Sequence, residues 1–87
     1  MAYRVVIQES ASKALRKLDE QIRRRVAVAI DALADDPRPP GIKAVAGEHG
    51  SYRIRVGDWR VLYEVDDELR QVLIAKIGHR STIYDRR

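Results

Sequence analysis

The sequence predicts an α+β fold. It should have an N-terminal strand, then an antiparallel helical hairpin packed on one face of a mostly antiparallel four-stranded sheet, and a short C-terminal tail. Three observations lead there. Residues 52–65 alternate apolar and polar on both sides of Gly57-Asp58, the period of two half-buried strands joined by a two-residue turn. Ile22, Val26, Ala29, Ile30 and Leu33 recur at the spacing of one helix face. Residues 71–77 form a nearly continuous apolar run, suited to a central strand buried on both faces.

Taken in order, residues 3–8 are β-branched enough for a short strand, with Val5 and Ile7 on one side. Ser10 is the expected cap of a first helix carrying Ala11, Ala14, Leu15 and Leu18. Asp19 can cap the second helix, which should end near Asp36 because Pro37 disfavours helix in the residue before it. So short a connection makes the helices a hairpin. Pro37-Arg38-Pro39-Pro40-Gly41 is a rigid connector, and residues 42–50 read as a loop without periodicity. The two-residue turn sets Val56 opposite Trp59, Arg55 opposite Arg60 and Arg53 opposite Leu62. Asp66-Asp67-Glu68 makes the next turn, and the register of the last strand is left open. Gly78 ends that strand, and residues 81–87 form the tail.

Eighty-seven residues make a single domain, 1–87, with one modest core. The net charge of +4 favours an acidic partner, and 13 of the 17 basic residues are Arg, the side chain best matched to bidentate phosphate contact. There is no Cys, which excludes disulfides and thiolate chemistry. No apolar stretch approaches the ~20 residues of a membrane span, and the N-terminus opens straight into the first strand without a signal-peptide pattern. A cytoplasmic protein with no membrane partner is expected.

The candidate chemistry lies on the sheet face opposite the helices, where alternation gathers Arg53, Arg55 and Arg60. Like charges directly across a hairpin are destabilising, so the pairing of Arg55 with Arg60 invites an anion. The alternative is a solvated outer face. Gly78-His79-Arg80 follows a strand expected beside Arg60, which would bring a fourth arginine to the same rim. Such a cluster suits a phosphodiester, whose charge grows during in-line displacement. Tyr84 lies four residues after Arg80 and is a candidate general base or base-stacking ring, or else an ordinary tail tyrosine. His49 and His79 have nothing to bring them together, and no His, Cys or carboxylate cluster has metal-ligand spacing. No metal and no cofactor are expected. Arg23-Arg24-Arg25 reads as exposed charge or a docking surface for an acidic partner.

Residues 52–65, followed by Gly78-His79-Arg80-Ser81-Thr82-Ile83-Tyr84, closely resemble the RelE toxins of the RelE/ParE superfamily, and the likeness extends over essentially the whole chain. The resemblance implies a RelE-like fold and a type II toxin–antitoxin module. Its toxin would be a metal-independent endoribonuclease cutting mRNA on the translating ribosome, with contacts to 16S ribosomal RNA. The partner would be a RelB-like antitoxin, through which the complex binds operator DNA. Carried over by position, Arg60, Arg80 and Tyr84 would be catalytic, and Lys43, Arg53, Arg55 and His79 would bind RNA. Attack of a ribose 2′-OH on the adjacent phosphate would leave a 2′,3′-cyclic phosphate and a free 5′-OH. Arg60 would hold the scissile phosphate, Arg80 the leaving oxygen, and Tyr84 would stack on or deprotonate the nucleotide.

Some members carry lysines at the positions of Arg53 and Arg55. Arginine stays protonated and is a poor proton acceptor, so here the base falls to Tyr84 or His79. Two alternatives come from other classes: a ParE-like toxin that inhibits DNA gyrase, and an inactive relative that acts only as an antitoxin-binding co-repressor.

Overall fold

The computed structural model describes residues 2–45 and 47–83. Its elements are β1 (Arg4–Ile7), α1 (Glu9–Arg16), α2 (Glu20–Ala32), β2 (Lys43–Ala44), β3 (Ser51–Val56), β4 (Trp59–Asp66) and β5 (Gln71–His79). The strands form one sheet in the order β1-β5-β4-β3-β2. Only the β1–β5 pair is parallel, so the mostly antiparallel sheet expected from the sequence is present. It has five strands rather than four. The addition is β2, whose Lys43 and Ala44 pair with Arg53 and Tyr52; two residues are too few to carry an alternating pattern.

The first helix is capped two residues earlier than the expected Ser10. Gln8 still donates its N–H to Ile74 O at 2.9 Å, so the β1–β5 ladder runs up to the helix and Gln8 becomes the N-cap. Asp19 occupies the N-cap of α2 as expected, although its side chain makes no capping bond. The regular part of α2 stops at Ala32, short of Asp36. Leu33, Ala34 and Asp35 donate instead to the carbonyls three residues back, at 3.0, 3.1 and 3.2 Å, and the helix tightens before Pro37.

The core lies between the helices and one face of the sheet. Val26 and Ile30 of α2 and Leu33 at its C-cap pack with Val61, Tyr63, Val72 and Ile74, all of them essentially inaccessible. The apolar stripe read from the sequence therefore faces the sheet, with Ile22 and Ala29 at its margins. On β5 the apolar parity changes midway. Leu62 pairs with Lys76 and Tyr63 with Ile74, which leaves Ala75 as an unpaired bulge. The extra residue turns Ile77 to the side of Val72 and Ile74, and Lys76 and Gly78 to the open face.

The proline-rich connector is tied down by a polar network that sequence patterns do not reveal. Arg38 meets the Asp67 carboxylate with both Nη groups, at 3.2 and 2.9 Å, and its Nε donates to the Tyr52 hydroxyl at 3.1 Å. The Tyr3 hydroxyl donates to the same carboxylate at 2.6 Å. The acidic turn after β4 thus clamps the chain before β1 to the connector after α2. Beneath it, the buried Tyr63 hydroxyl donates to Pro37 O at 2.8 Å.

Two outcomes follow from this network. The bonds from Arg38, then Tyr3, hold the Asp67 carboxyl below its ordinary value. A depressed folded-state value contributes stability above the unfolded value near ~4 that is lost as pH falls. Asp67→Asn should therefore flatten the acid limb of a urea-midpoint against pH curve, and added salt should do so in part because the pair is exposed. Burial pushes the Tyr63 phenol up to about 12. Tyr63→Phe, which orphans the Pro37 carbonyl, should cost about 1–3 kcal/mol in denaturant unfolding at neutral pH.

Candidate active site on the open sheet face

The hairpin register is the one the sequence dictates: Val56 faces Trp59, Arg55 faces Arg60 and Arg53 faces Leu62. Gly57 has φ +60° and no positive φ occurs at Asp58, the pattern of a turn that needs glycine at its first central position. Ile54, Val61 and Tyr63 point into the core. Arg53, Arg55 and Arg60 therefore emerge together on the face away from the helices. Lys43 stands directly across from Arg53 on β2. With Gly41 and Ile54, these four cations line a cleft of about 310 Å³ that has no carboxylate among its lining residues.

A larger hollow of about 570 Å³ lies at the opposite end of β4, lined in part by His49, Glu64, Asp66, Asp67 and Glu68. Its acids would repel an anion, and its size does not make it the site for one. His49 is thereby separated from His79 by the length of β4, because Trp59 pairs with His79 and Asp66 with Gln71.

The hairpin turn organises the arginines at the tip of the cleft. Arg60 Nη1 donates to Gly57 O at 3.1 Å and to Trp59 O at 3.0 Å. The intervening carbonyl, of Asp58, accepts the backbone N–H of Arg80 at 2.8 Å. Arg80 Nε also lies 3.3 Å from Asp58 Oδ1. Three successive carbonyls thus anchor both Arg60 and Arg80. From the helix side, the Arg25 guanidinium packs within 3.5 Å of where a Gly57 side chain would begin, so Arg25 braces the turn. Its neighbours serve differently: Arg24 pairs with Glu20, and Arg23 donates to Leu18 O.

His79 does not join the cleft. It is the cross-strand partner of Trp59, on the other side of the sheet from Arg60, and the two rings meet edge to face at 5.3 Å. Its Nδ1 accepts the Ser81 N–H at 3.1 Å and lies 2.8 Å from Ser81 Oγ, which leaves Nε2 to carry the proton of the neutral ring. Tyr84 lies outside the described residues. Ile83, the residue before it, is buried over Gly78, and Lys76 Nζ donates to its carbonyl at 3.2 Å. Gly78 and Lys76 are the partners of Arg60 and Leu62, so the chain turns back onto the same open face as the arginines.

Sequence reasoning missed that Lys76 and Gly78 share the open face with the arginines, and that Asp58 contacts Arg80. Lys76 was hidden in an apolar run whose parity only the Ala75 bulge resolves, whereas a glycine and an aspartate at strand ends read as ordinary turn residues. Among the described residues, no three His, Asp or Glu side chains come together as a metal site. No helix among them is long and apolar enough to cross a membrane.

Residues 5–84 match the family model described as the ParE toxin of the type II toxin–antitoxin system parDE. Toxin RelG of Mycobacterium tuberculosis is 33% identical over 87 residues, covering 99% of this chain and 100% of that protein. Among solved structures, the archaeal RelE–RelB complex from Pyrococcus horikoshii superposes with a TM-score of 0.83 at 32% identity, over 94% of this chain and 99% of that one. The intact Escherichia coli RelBE toxin–antitoxin complex gives 0.80 at 28% identity, over 90% and 96%.

The packing of Ile83 on Gly78 leaves room for a side chain only if Ile83 shifts. A Cβ on Gly78 would meet Ile83 Cδ1 at 2.7 Å. Gly78→Ala should cost about 1–3 kcal/mol through overpacking. In Ile83→Ala the same substitution should cost much less, and urea unfolding of the four proteins of this cycle reads the coupling.

Proposed function

The chain belongs to the RelE/ParE toxin–antitoxin superfamily, on its RelE-like side, and from that premise we propose that it is an mRNA endoribonuclease acting on the translating ribosome. It is a RelE-family toxin, and its proposed resting partner is a RelB-like antitoxin, the kind of partner seen with the P. horikoshii and E. coli toxins. The observation that carries the reading is the cleft itself: Lys43, Arg53, Arg55 and Arg60 around one hollow, with Arg80 held against Asp58 on the hairpin turn.

In the proposed reaction Lys43, Arg53 and Arg55 hold the phosphates flanking the cut, and Arg60 holds the scissile one. The ribose 2′-oxygen attacks that phosphorus, its proton passes to the base, and the bond to the 5′-oxygen breaks. A 2′,3′-cyclic phosphate remains, and Arg80 stabilises the charge on the departing oxygen. The His79 Nδ1 is already committed to Ser81, so Tyr84 is the proposed base or stacking ring. Guanidinium groups supply charge but do not accept protons. In-line geometry must then come largely from how the mRNA is held, which favours cutting on the ribosome, with contacts to 16S ribosomal RNA, over cutting of free RNA. An acidic antitoxin segment would neutralise the cleft, and operator DNA would be reached through the antitoxin.

Mapping mRNA 5′ ends after expression, with and without ribosomes in a purified system, tests the reading. Arg60→Ala and Arg80→Ala should each lower cleavage by about 10²–10³ and abolish growth arrest while antitoxin binding persists. A large loss in Tyr84→Phe indicates proton transfer; a loss confined to Tyr84→Ala indicates stacking. The family model that matches carries the ParE description, which favours gyrase inhibition as the second reading. Growth arrest without new 5′ ends, together with inhibition of purified gyrase, would establish that reading instead.

A further inference from the structure

We infer that Asp58 is a positioning residue for Arg80, orienting its guanidinium toward the cleft; the inference rests on the ribonuclease reading. Asp58 touches Arg80 twice, accepting its backbone N–H at 2.8 Å and meeting its Nε with Oδ1 at 3.3 Å. The side-chain contact is made at Nε, the guanidinium nitrogen nearest the stem. The closest approach is therefore not made by the terminal Nη1 and Nη2 fork, the part of the guanidinium that recognises phosphate in bidentate fashion.

Two features argue that this pair exists for orientation rather than for folding or binding. Both side chains are largely exposed, 61% for Arg80 and 68% for Asp58, and exposed pairs contribute little to stability. A carboxylate on the turn that leads into Arg60 also weakens attraction of an anionic substrate, so simple electrostatics would disfavour it there. Its position on the turn links it to the other arginine: the carbonyls on either side of Asp58, those of Gly57 and Trp59, hold Arg60. One rigid turn therefore sets the spacing of the two guanidinium groups proposed to meet the attacked phosphate and the leaving oxygen.

Single-turnover cleavage of ribosome-bound mRNA separates orientation from charge. Asp58→Asn should lower the maximal rate about 10- to 100-fold, the upper figure corresponding to a misplacement of ~1 Å. The half-saturating concentration should stay the same or fall, because a negative charge has left the turn. Asp58→Glu should recover most of the rate. In an Arg80→Ala background, Asp58→Asn should cause no further loss, since no guanidinium remains to orient. The unfolding midpoint should be unchanged in all three, because the pair is exposed. An Asp58→Asn protein that cuts as fast as wild type or faster, with tighter binding, overturns the inference alone. A wild-type protein that yields no cleavage on translating ribosomes overturns the ribonuclease reading, and this inference with it.

Discussion

A strand has a side-chain period of two, so slipping one strand of a hairpin by a single residue moves every side chain to the other face of the sheet. The loop between β3 and β4 is two residues long, and Gly57 takes the positive φ that such a loop requires. That turn leaves the strands one register. Ile54, Val61 and Tyr63 enter the core because of it, and Arg53, Arg55 and Arg60 must then share the open face. The repulsion between Arg55 and Arg60 is carried by the burial of their apolar neighbours, each worth about 1.5–3 kcal/mol when fully buried. The same turn holds Arg60 and Arg80 through its carbonyls. The register of the core and the spacing of the site are thus one geometric constraint.

This is why the hairpin could be read from the sequence down to individual residue pairs. Its information is local: an alternating pattern on each side and a glycine between them. The α2 stripe was legible for the same reason, since Val26, Ile30 and Leu33 stand in a fixed helical relation. Features that depend on distant partners were not legible. The start of α1 at Glu9 is set by the bond from Gln8 to Ile74, made across the sheet. The short β2 exists only because Arg53 and Tyr52 offer Lys43 and Ala44 an edge. The clamp of Arg38 on Asp67 joins a connector and a turn that no pattern relates. Of the site, the three hairpin arginines were legible by alternation and Lys43 by likeness to a family. His79 was expected at the cleft, yet sits beside Trp59 because the Ala75 bulge changes the parity of β5.

The bulge also shapes the open face of the sheet. Without the extra residue, Lys76 and Gly78 would face the helices and Ile77 would face outward. With it, a small residue lies beside Arg60 and an ammonium beside Leu62. The turn after β5 can then fold back, bury Ile83 against Gly78 and bring the chain onto the open face. A residue that interrupts the ladder is what keeps Ile77 in the core while Lys76 and Gly78 face the open side.

The sheet order places β5, the last strand made, between β1, the first, and β4. Arg4 pairs with Gln71 and Ile7 with Ile74, so the opening strand waits for partners that emerge only after nearly all the rest of the chain. Contacts so far apart in sequence form late, because the intervening chain must first be gathered. During synthesis, β3 and β4 can carry their arginines while the helices still lack Val72 and Ile74 to pack upon. A growing or prematurely ended chain is therefore missing the middle of its sheet, and a partial product is not a smaller version of the whole. The sheet cannot close until β5 has been made.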